Sequence, residues 1–266
     1  KISGIESGFI DLDAKISGLN PSDLIILAAR PAMGKSAFVL NIASYVAMHQ
    51  KTPVMIFSLE MSKEQMVNRI LASESEVDSM KLRNADLDSE DWLKLGAASG
   101  KLSEIPLYID DTPGLSSSEL RAKCRKAKLE KNIGLVIVDY LQLMESKSKN
   151  ASRQQEISDI SRSLKILAKE LQIPVIALSQ LSRATESRTD HKPMLSDLRE
   201  SGAIEQDADI VMFLHREDYY DEQTEKKNIA EVIIAKNRSG STGTVELAWL
   251  GQYTKFANIY KGPEEN

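Results

Sequence analysis

The sequence predicts an α/β fold with a mostly parallel, doubly wound sheet and an antiparallel hairpin at one edge. Apolar strand-like runs alternate with helical patterns along the 266 residues, and this alternation favours right-handed strand–helix–strand crossovers. Several runs, such as Leu135-Val136-Ile137-Val138, are apolar at every position, which is typical of a parallel strand covered on both faces. A polar turn at residues 237–243 separates the last two runs, as a hairpin requires.

The individual elements follow from apolar runs bounded by polar or turn residues. No internal repeat and no Pro/Gly-rich linker divides the chain, so we expect one α/β unit over residues 1–266. The predicted strands are 24–29, 54–59, 107–109, 135–139, 175–179, 210–215, 230–236 and 244–249. The predicted helices are 35–48, 62–73, 89–101, 116–131 and 154–171.

Composition narrows the classes of function that the chain can have. The formal net charge is −5, so binding to nucleic acid has to come from local basic segments or from assembly that concentrates them. No apolar run approaches the length of a membrane span, which predicts no membrane partner and a cytoplasmic location. Cys124 is the only cysteine, which excludes an intrachain disulfide and fits a reducing compartment.

The most informative motif lies where the first predicted strand meets the first helix. Gly34-Lys35-Ser36 supply the last three positions of the phosphate-loop pattern G-x-x-x-x-G-K-[ST]. Lys35 would neutralise the outer phosphates of a nucleotide, and the Ser36 hydroxyl would bind Mg²⁺ at the helix start. Ala29 stands where the pattern has its first glycine, which requires a negative φ there. The predicted nucleotide-binding residues are Arg30, Pro31, Ala32, Met33, Gly34, Lys35, Ser36 and Ala37.

Two further predicted strands end in carboxylates. Asp139 follows an apolar run in the Walker B arrangement and would reach Mg²⁺ through water, unless it only ends a strand at a turn. Glu60 could orient or deprotonate the attacking water, because the strand ends of a parallel sheet converge on the ligand crevice. However, Ser62 and Gln65 form a capping-box pattern, and Glu60 could equally only precede that helix cap.

Polar residues at two other strand ends are weaker candidates. Gln180 ends a strand and could contact the γ-phosphate of a nucleotide, although a Ser-Gln pair also suits a turn. Lys236 and Arg238 lie at the start of the predicted hairpin turn and, two residues apart on a strand, face the same side. They could act on the nucleotide of a neighbouring subunit as an arginine finger does, or they could form a solvated basic turn.

Two segments could hold single-stranded DNA by its phosphates. One, at residues 145–153, carries three cations within an acidic chain. The other places the charge pair of Arg199 and Glu200 beside Gly202, where a glycine allows close approach to a phosphate backbone. Neither segment contains an aromatic residue, which favours tracking of the backbone over base stacking. The cations of the first segment are Lys147, Lys149 and Arg153.

Taken in order along the chain, these motifs resemble the C-terminal motor domain of DnaB-type replicative helicases. The resemblance covers nearly the whole chain, and its most specific part is the long block 197–209. The blocks that carry it are Gly4-Ile5 with Gly8-Phe9 and Leu12-Asp13, then 29–36, Ser58-Leu59-Glu60-Met61, Val138-Asp139-Tyr140-Leu141-Gln142, Leu178-Ser179-Gln180-Leu181, 197–209, and Lys236-Asn237-Arg238.

The resemblance implies a RecA-like fold and a ring of six subunits around one DNA strand. ATP with Mg²⁺ would sit between subunits, and translocation would run 5′→3′. By resemblance Glu60 is the catalytic base, Gln180 senses the γ-phosphate, and Lys236 and Arg238 act in trans. The same resemblance assigns the block 197–209 and the loop after the Walker B strand to DNA.

Helicases of this family also carry an N-terminal helical domain and a linker helix, which stabilise the ring and contact primase. This chain begins at the equivalent of the motor domain, so we expect that domain and linker to be absent from it. Primase and a helicase loader are the protein partners that the resemblance implies.

Two other functions fit part of the sequence: a recombinase of the same fold, and a nucleotide-dependent loader or adaptor that does not hydrolyse. The block 197–209 and Ser58-Leu59-Glu60-Met61 argue against the recombinase. The set of Lys35, Ser36, Glu60 and Asp139 argues for turnover and against the adaptor.

Overall fold

The computed structural model describes residues 1–144 and 152–260, without the side chains of residues 199–201. Within these ranges nine strands form one sheet. The strands are β1 (Leu24–Ala29), β2 (Val54–Ser58), β3 (Leu107–Asp110), β4 (Leu135–Asp139), β5 (Val175–Gln180), β6 (Ile210–His215), β7 (Ile229–Asn237), β8 (Gly243–Leu250) and β9 (Lys255–Asn258).

The helices in the described ranges vary in length from 6 to 19 residues. The α-helices are α1 (Ile10–Ile16), α2 (Lys35–His49), α3 (Lys63–Ser75), α4 (Ser79–Asn84), α5 (Ser89–Leu102), α6 (Ser117–Lys131), α7 (Arg153–Leu171) and α8 (Gly202–Asp207). Short 3-10 segments lie at Leu141–Leu143, Arg183–Ser187, Leu195–Ser201, Glu217–Tyr219 and Gly251–Tyr253.

The sheet has the order β3-β2-β4-β5-β1-β6-β7-β8-β9. Strands β1 to β6 pair in parallel, and β7, β8 and β9 extend the sheet in antiparallel pairs. The predicted fold class is therefore confirmed, but the edge is larger than the predicted hairpin. Lys255–Asn258 adds a strand that the sequence did not indicate, because its four residues include no continuous apolar run bounded by turn residues.

Helices cover both faces of the parallel strands, which explains why those strands are apolar throughout. On β1, Ile25 and Leu27 face the layer that holds α1, α2 and α3. The alternate residues Leu24 and Ile26 face the layer that holds α6, α7 and α8. Because successive side chains of a strand point to opposite faces of the sheet, each strand contributes residues to two separate hydrophobic cores.

Every predicted helix and strand is present, with ends within two residues of the prediction. Three short helices, α1, α4 and α8, were not predicted. Helix α4 has no buried residue, so it carries no apolar periodicity that a sequence pattern could reveal. Strand β9 is stabilised by a residue that is distant in the sequence, because the Phe256 ring packs edge-on against Phe38 with 5.5 Å between ring centroids.

Leu178 tests the placement of β5 at the centre of the sheet. Its side chain is fully buried, so we expect Leu178→Ala to lower the free energy of unfolding by about 2–5 kcal/mol through lost transfer energy and a cavity. The matched control is Leu129→Ala on α6, where the leucine is 89% exposed, and the change should stay within about 0.5 kcal/mol. Urea unfolding followed by circular dichroism measures both, and equal losses would contradict this core.

Candidate functional site

The phosphate loop (residues 29–36) joins β1 directly to α2. Ala29 is extended and has a negative φ, as its place in the motif requires. The turn is made further on, where Ala32 has φ 69° and Gly34 has φ 94°. A Cβ on Gly34 would lie 2.9 Å from the Phe256 ring, so both backbone conformation and space favour glycine at this position.

A cleft of about 340 Å³ opens beside this loop. All the predicted nucleotide-binding residues line it except Met33, whose side chain is packed in the core. Only the backbone of Met33 is thus available to a ligand. Glu60 and Gln180, the candidates from two other strand ends, also line the cleft. The lining residues are Arg30, Pro31, Ala32, Gly34, Lys35, Ser36, Ala37, Glu60, Met61, Arg69, Gln180, Trp249 and Thr254.

Asp139 lies buried at the end of β4, next to the start of α2. The Ser36 hydroxyl donates a hydrogen bond of 2.8 Å to Asp139 Oδ2. Burial raises the pKa of the Asp139 carboxyl, and the Ser36 hydrogen bond and the Lys35 charge oppose that effect. The other oxygen, Oδ1, is buried and has no hydrogen-bond partner among the described residues.

This pair of oxygen groups suits a hard divalent cation, which takes oxygen ligands and keeps several waters. The described residues contain no group of three or more His, Cys, Asp or Glu that could hold a metal ion. Ser36 and Asp139 can therefore hold Mg²⁺ only together with water or with the oxygens of a bound nucleotide.

Two opposing effects act on the pKa of the Lys35 ammonium, which lines the cleft. Burial lowers the pKa of its ammonium, and the charges of Asp139 and Glu60 oppose that effect. Its Nζ atom lies 4.1 Å from the centroid of the Tyr140 ring, a cation–π distance. A cation that lines the cleft beside the phosphate loop is placed to neutralise the charge of a phosphate.

The structure shows where the Glu60 side chain lies relative to the predicted helix cap. The helix cap exists: Gln65 N donates to Ser62 Oγ at 3.2 Å, and Ser62 N donates to Gln65 Oε1 at 2.9 Å. The Glu60 side chain takes no part in it and instead lies exposed in the cleft. The cap fixes the chain just after Glu60, so the two readings are compatible.

Gln180 ends β5 directly beside the phosphate loop, because it pairs with Ala29 in the parallel register. Its backbone N–H donates to Gln142 Oε1 at 3.2 Å, and Gln142 Nε2 donates to Ser179 Oγ at 2.9 Å. Gln142 thus connects the segment after β4 to the end of β5. The Gln180 side chain is left exposed in the cleft.

Several residues of the cleft were not predicted from the sequence. Arg69 on α3 lines it without a hydrogen bond or an ion pair to any described residue. Trp249, in β8, also lines the cleft, and the Arg216 guanidinium lies 5.1 Å from the centroid of its ring. Arg216 also donates to the carbonyl of Ala32 at 2.9 Å. No local pattern marks these residues, because their proximity to the loop arises from the order of strands in the sheet.

Lys236 and Arg238 lie together, on the same side as predicted, but far from this cleft. Lys236 Nζ donates to the Glu205 carbonyl at 2.5 Å, and Arg238 Nη2 donates to the Gln206 carbonyl at 2.9 Å. Arg238 Nη1 forms a 3.0 Å ion pair with Asp209, whose side chain is almost fully buried. Burial and the nearby Arg238 charge lower the pKa of Lys236. Both cations are therefore attached to the end of α8.

The position of Asp209 shows how far Lys236 and Arg238 lie from the cleft. Asp209 precedes β6, and its Oδ2 accepts a 2.8 Å hydrogen bond from Leu24 N at the start of β1. The phosphate loop follows the other end of β1, five residue steps of about 3.3 Å or roughly 17 Å away. Arg238 is thus at the amino edge of the parallel strands, and the cleft is at their carboxyl edge.

The predicted DNA-contacting residues lie on the α7–α8 side of the sheet. Arg153 begins α7, where it forms a 3.1 Å ion pair with Glu156 and donates to the carbonyl of Gln142. Gly202 begins α8 and is exposed. Arg199 and Glu200 fall in the 3-10 segment Leu195–Ser201, whose last side chains are not described. Lys147 and Lys149 lie outside the described residues.

Helix α7, which begins at Arg153, is in direct contact with the second candidate DNA segment. Helix α7 packs against both α8 and the 3-10 segment Leu195–Ser201, and the Ser161 hydroxyl donates to Asp207 Oδ2 at 2.9 Å.

None of the helices in the described ranges is both long enough and apolar enough to cross a membrane.

Comparison with known proteins identifies the family. The sequence model of the DnaB-like helicase C-terminal domain matches residues 4–258. The replicative DNA helicase DnaC of Bacillus subtilis (strain 168) is 56% identical over 97% of this chain and 57% of its own length. The replicative DNA helicase DnaB of Geobacillus stearothermophilus is 54% identical over the whole chain and 59% of its own length. The chain thus spans little more than half the length of these relatives.

Solved structures agree with the sequence comparison. One, of an isolated ATPase domain, superposes with a TM-score of 0.94 at 46% identity, covering 98% of this chain and 93% of that one. A DnaB-like replicative helicase, described with its interactions with primase, gives the same TM-score and identity over 98% of this chain and 63% of that one. This chain therefore belongs to the DnaB-like helicase C-terminal domain family and has the RecA-like fold of its ATPase domains.

Proposed function

We propose that this chain is the ATP-hydrolysing motor of a replicative DNA helicase that moves 5′→3′ along single-stranded DNA and unwinds duplex. The observation that carries the proposal is the cleft at the carboxyl edge, which combines Lys35, the Ser36–Asp139 pair and Glu60. Membership of the DnaB-like family supports it. The polar and charged groups present are those that phosphoryl transfer from a nucleotide to water requires.

Each group has a proposed role in that cleft. The Lys35 ammonium neutralises charge on the outer phosphates of ATP. Ser36 and Asp139 would hold Mg²⁺, which supplies further neutralisation of the phosphates when bound. Glu60 accepts a proton from the attacking water, since its exposed carboxylate faces the cleft without being used by the helix cap. Gln180 contacts the γ-phosphate and responds to its loss.

The residues that the sequence did not reveal extend this assignment. Arg69 is a cation of the cleft without a hydrogen bond or an ion pair to any described residue, so we assign it to the phosphates as a second neutralising group. Trp249 and Thr254 also line the cleft, and the Thr254 hydroxyl is buried without a hydrogen-bond partner in the described part of the chain. We assign these two to the nucleoside end of ATP.

Lys236 and Arg238 cannot serve the cleft of their own subunit, because the length of β1 separates them from it. In a homo-hexameric ring, head-to-tail contacts repeat the same interface around the axis. The amino edge of one subunit would then face the cleft of the next, and Arg238 would stabilise charge on the neighbour's γ-phosphate.

Single-stranded DNA is the proposed track, held through its phosphates by Arg153, Arg199, Glu200 and Gly202 with the segment around them. Primase is a proposed partner, and a solved relative described with primase interactions supports it. A helicase loader is proposed by family membership alone. The proposed location is the cytoplasm, at replication forks.

The first test of the motor is Lys35→Ala. Without the ammonium the phosphate charge is uncompensated, so ATP hydrolysis should fall by about 100-fold or more. Unwinding of a forked duplex with a 5′ single-stranded tail should be lost with it. Lys126→Ala, which removes a lysine that is 74% exposed on α6, should leave both rates unchanged. Phosphate release and gel-resolved unwinding are the measurements, and normal turnover by Lys35→Ala would disprove the phosphate-loop assignment.

The trans role of Arg238 is tested by mixing inactive variants. Arg238→Ala should bind ATP almost normally but hydrolyse it about 100-fold more slowly, and Glu60→Gln should bind ATP without turnover. In rings formed from equal amounts of the two, about a quarter of the interfaces pair an intact Glu60 with an intact Arg238. We therefore expect the mixture to regain part of the ATPase activity.

The matched control mixes Glu60→Gln with Lys35→Ala. Both changes lie in one cleft, so no subunit in this mixture supplies a complete cis site, and activity should not return. Subunit exchange is verified independently by fluorescence energy transfer between labelled subunits. If exchange occurs and the Arg238→Ala mixture stays inactive at every ratio, Arg238 does not act in trans.

Binding to single-stranded DNA should weaken steeply with salt and discriminate little between sequences, because the proposed contacts address phosphates. Arg153→Ala should reduce the slope of log affinity against log salt by about one. Arg125→Ala on α6, which removes an arginine paired with Glu170 on the surface, should leave the slope unchanged. Fluorescence anisotropy of labelled oligonucleotides measures this, and an affinity that is flat with salt would contradict phosphate binding.

A further inference from the structure

Three loops at the carboxyl edge of the sheet meet at one carboxylate. Arg30, in the phosphate loop, donates from Nε to Glu186 Oε1 at 3.1 Å. Tyr220, in the loop after β6, donates from its hydroxyl to the same oxygen at 3.0 Å. Glu186 itself belongs to the 3-10 segment Arg183–Ser187 that follows β5. One side chain outside the cleft lining therefore connects all three loops.

The Tyr220 end of this contact is fixed by aromatic stacking. The His191 ring lies parallel to the Tyr220 ring, with 4.2 Å between centroids, and His215 stacks nearby at 5.8 Å. Burial and the bond to Glu186 raise the pKa of the Tyr220 hydroxyl to about 12, so it remains a hydrogen-bond donor at neutral pH. The Glu186 carboxylate is thus held by two permanent donors.

The Arg30 end reaches the nucleotide site. Arg30 lines the cleft, and its Nη1 donates to the Leu181 carbonyl at 2.9 Å. The Glu186 side chain is 41% exposed, and ion pairs this open contribute little to global stability because solvent screens them. The contact therefore adds little to the stability of the fold. Because it connects three loops, it is suited to transmitting a displacement of one loop to the other two.

Glu186 is also linked to the proposed DNA-contacting segment by a short series of bonds. Arg188, two residues away, forms a bidentate ion pair with Asp197, and its Nη1–Oδ1 bond is 2.9 Å. Ser182 N donates to the Asp197 carbonyl at 3.3 Å. Asp197 is buried and lies near the start of the 3-10 segment Leu195–Ser201, which leads into Gly202.

We propose that Glu186 is a positioning residue that couples DNA binding at residues 199–202 to the phosphate loop. This inference rests on the proposed motor function. A shift of the DNA-contacting segment moves Asp197, Asp197 moves the turn that carries Arg188 and Glu186, and Glu186 moves Arg30 in the phosphate loop. By linkage, ATP in the cleft changes the affinity for DNA through the same bonds.

The test is Glu186→Ala in the full-length protein, which removes the acceptor shared by Arg30 and Tyr220, with Glu222→Ala as the matched control. Glu222 is exposed in the segment after β6. ATPase rates are measured without DNA and over a titration of a thirty-nucleotide oligothymidylate. For Glu186→Ala we expect the rate without DNA to be unchanged, while maximal stimulation by DNA falls about fivefold. Affinity for the oligonucleotide without nucleotide should be unchanged, because the DNA contacts themselves remain, whereas the effect of ATP on that affinity should be reduced.

A second variant keeps the test independent of the first. Tyr220→Phe removes one donor to Glu186 and should reduce maximal stimulation less than Glu186→Ala does. The double variant should be no worse than Glu186→Ala alone, because both changes break the same connection. Glu222→Ala should behave as the unchanged protein.

Several results would overturn the coupling role. Normal stimulation of Glu186→Ala would show that the contact transmits nothing. An equal loss of the rates with and without DNA would show a merely structural role. In both cases the motor function survives, since the unchanged protein is still stimulated by DNA. Absence of ATPase activity or of stimulation in the unchanged protein would overturn the motor function and, with it, this inference.

Discussion

Parallel pairing of β1 with β5 and β6 is the constraint on which the candidate site depends. Parallel strands all end at the same edge, so the loops that follow them converge. The register places Gln180 beside Ala29, and Ser58 beside Asp139 in the neighbouring pair of strands. A phosphate loop, a buried carboxylate and two polar strand ends thereby lie close together in the fold, although they are far apart in the sequence.

The same pairing divides the proposed functions between two edges of the sheet. The carboxyl edge holds the groups that would act on the subunit's own nucleotide. The amino edge holds Asp209, which bonds to Leu24, Lys165 and Arg238 together. Because Lys236 and Arg238 are attached there to the end of α8, these two cations lie away from the chain's own cleft. In the proposed ring the two edges would alternate, and each site would be completed from two subunits.

Charge in the cleft is arranged for a polyanion. Lys35 is half-buried near acidic groups, Arg69 is half-buried without a hydrogen bond or ion pair to the described residues, and Asp139 keeps one buried oxygen unpaired beside the Ser36 hydroxyl. A buried polar atom without a partner is costly in a folded protein. The unpaired Asp139 oxygen is explained if a divalent cation completes its bonding, and the two cations are explained if phosphates do.

The strands that are apolar at every position and the motifs that are local along the chain could be predicted from the amino-acid sequence alone. β1, β4 and β6 have the predicted bounds, and Gly34-Lys35-Ser36 could be recognised because strand, loop and helix are consecutive. The position of Glu60 in the cleft, beside an intact helix cap, became clear only from the folded chain. Arg69, Trp249 and Thr254 reach the phosphate loop through packing between distant segments, which no local pattern records. For the same reason, β9 could not be predicted as the last strand of the sheet.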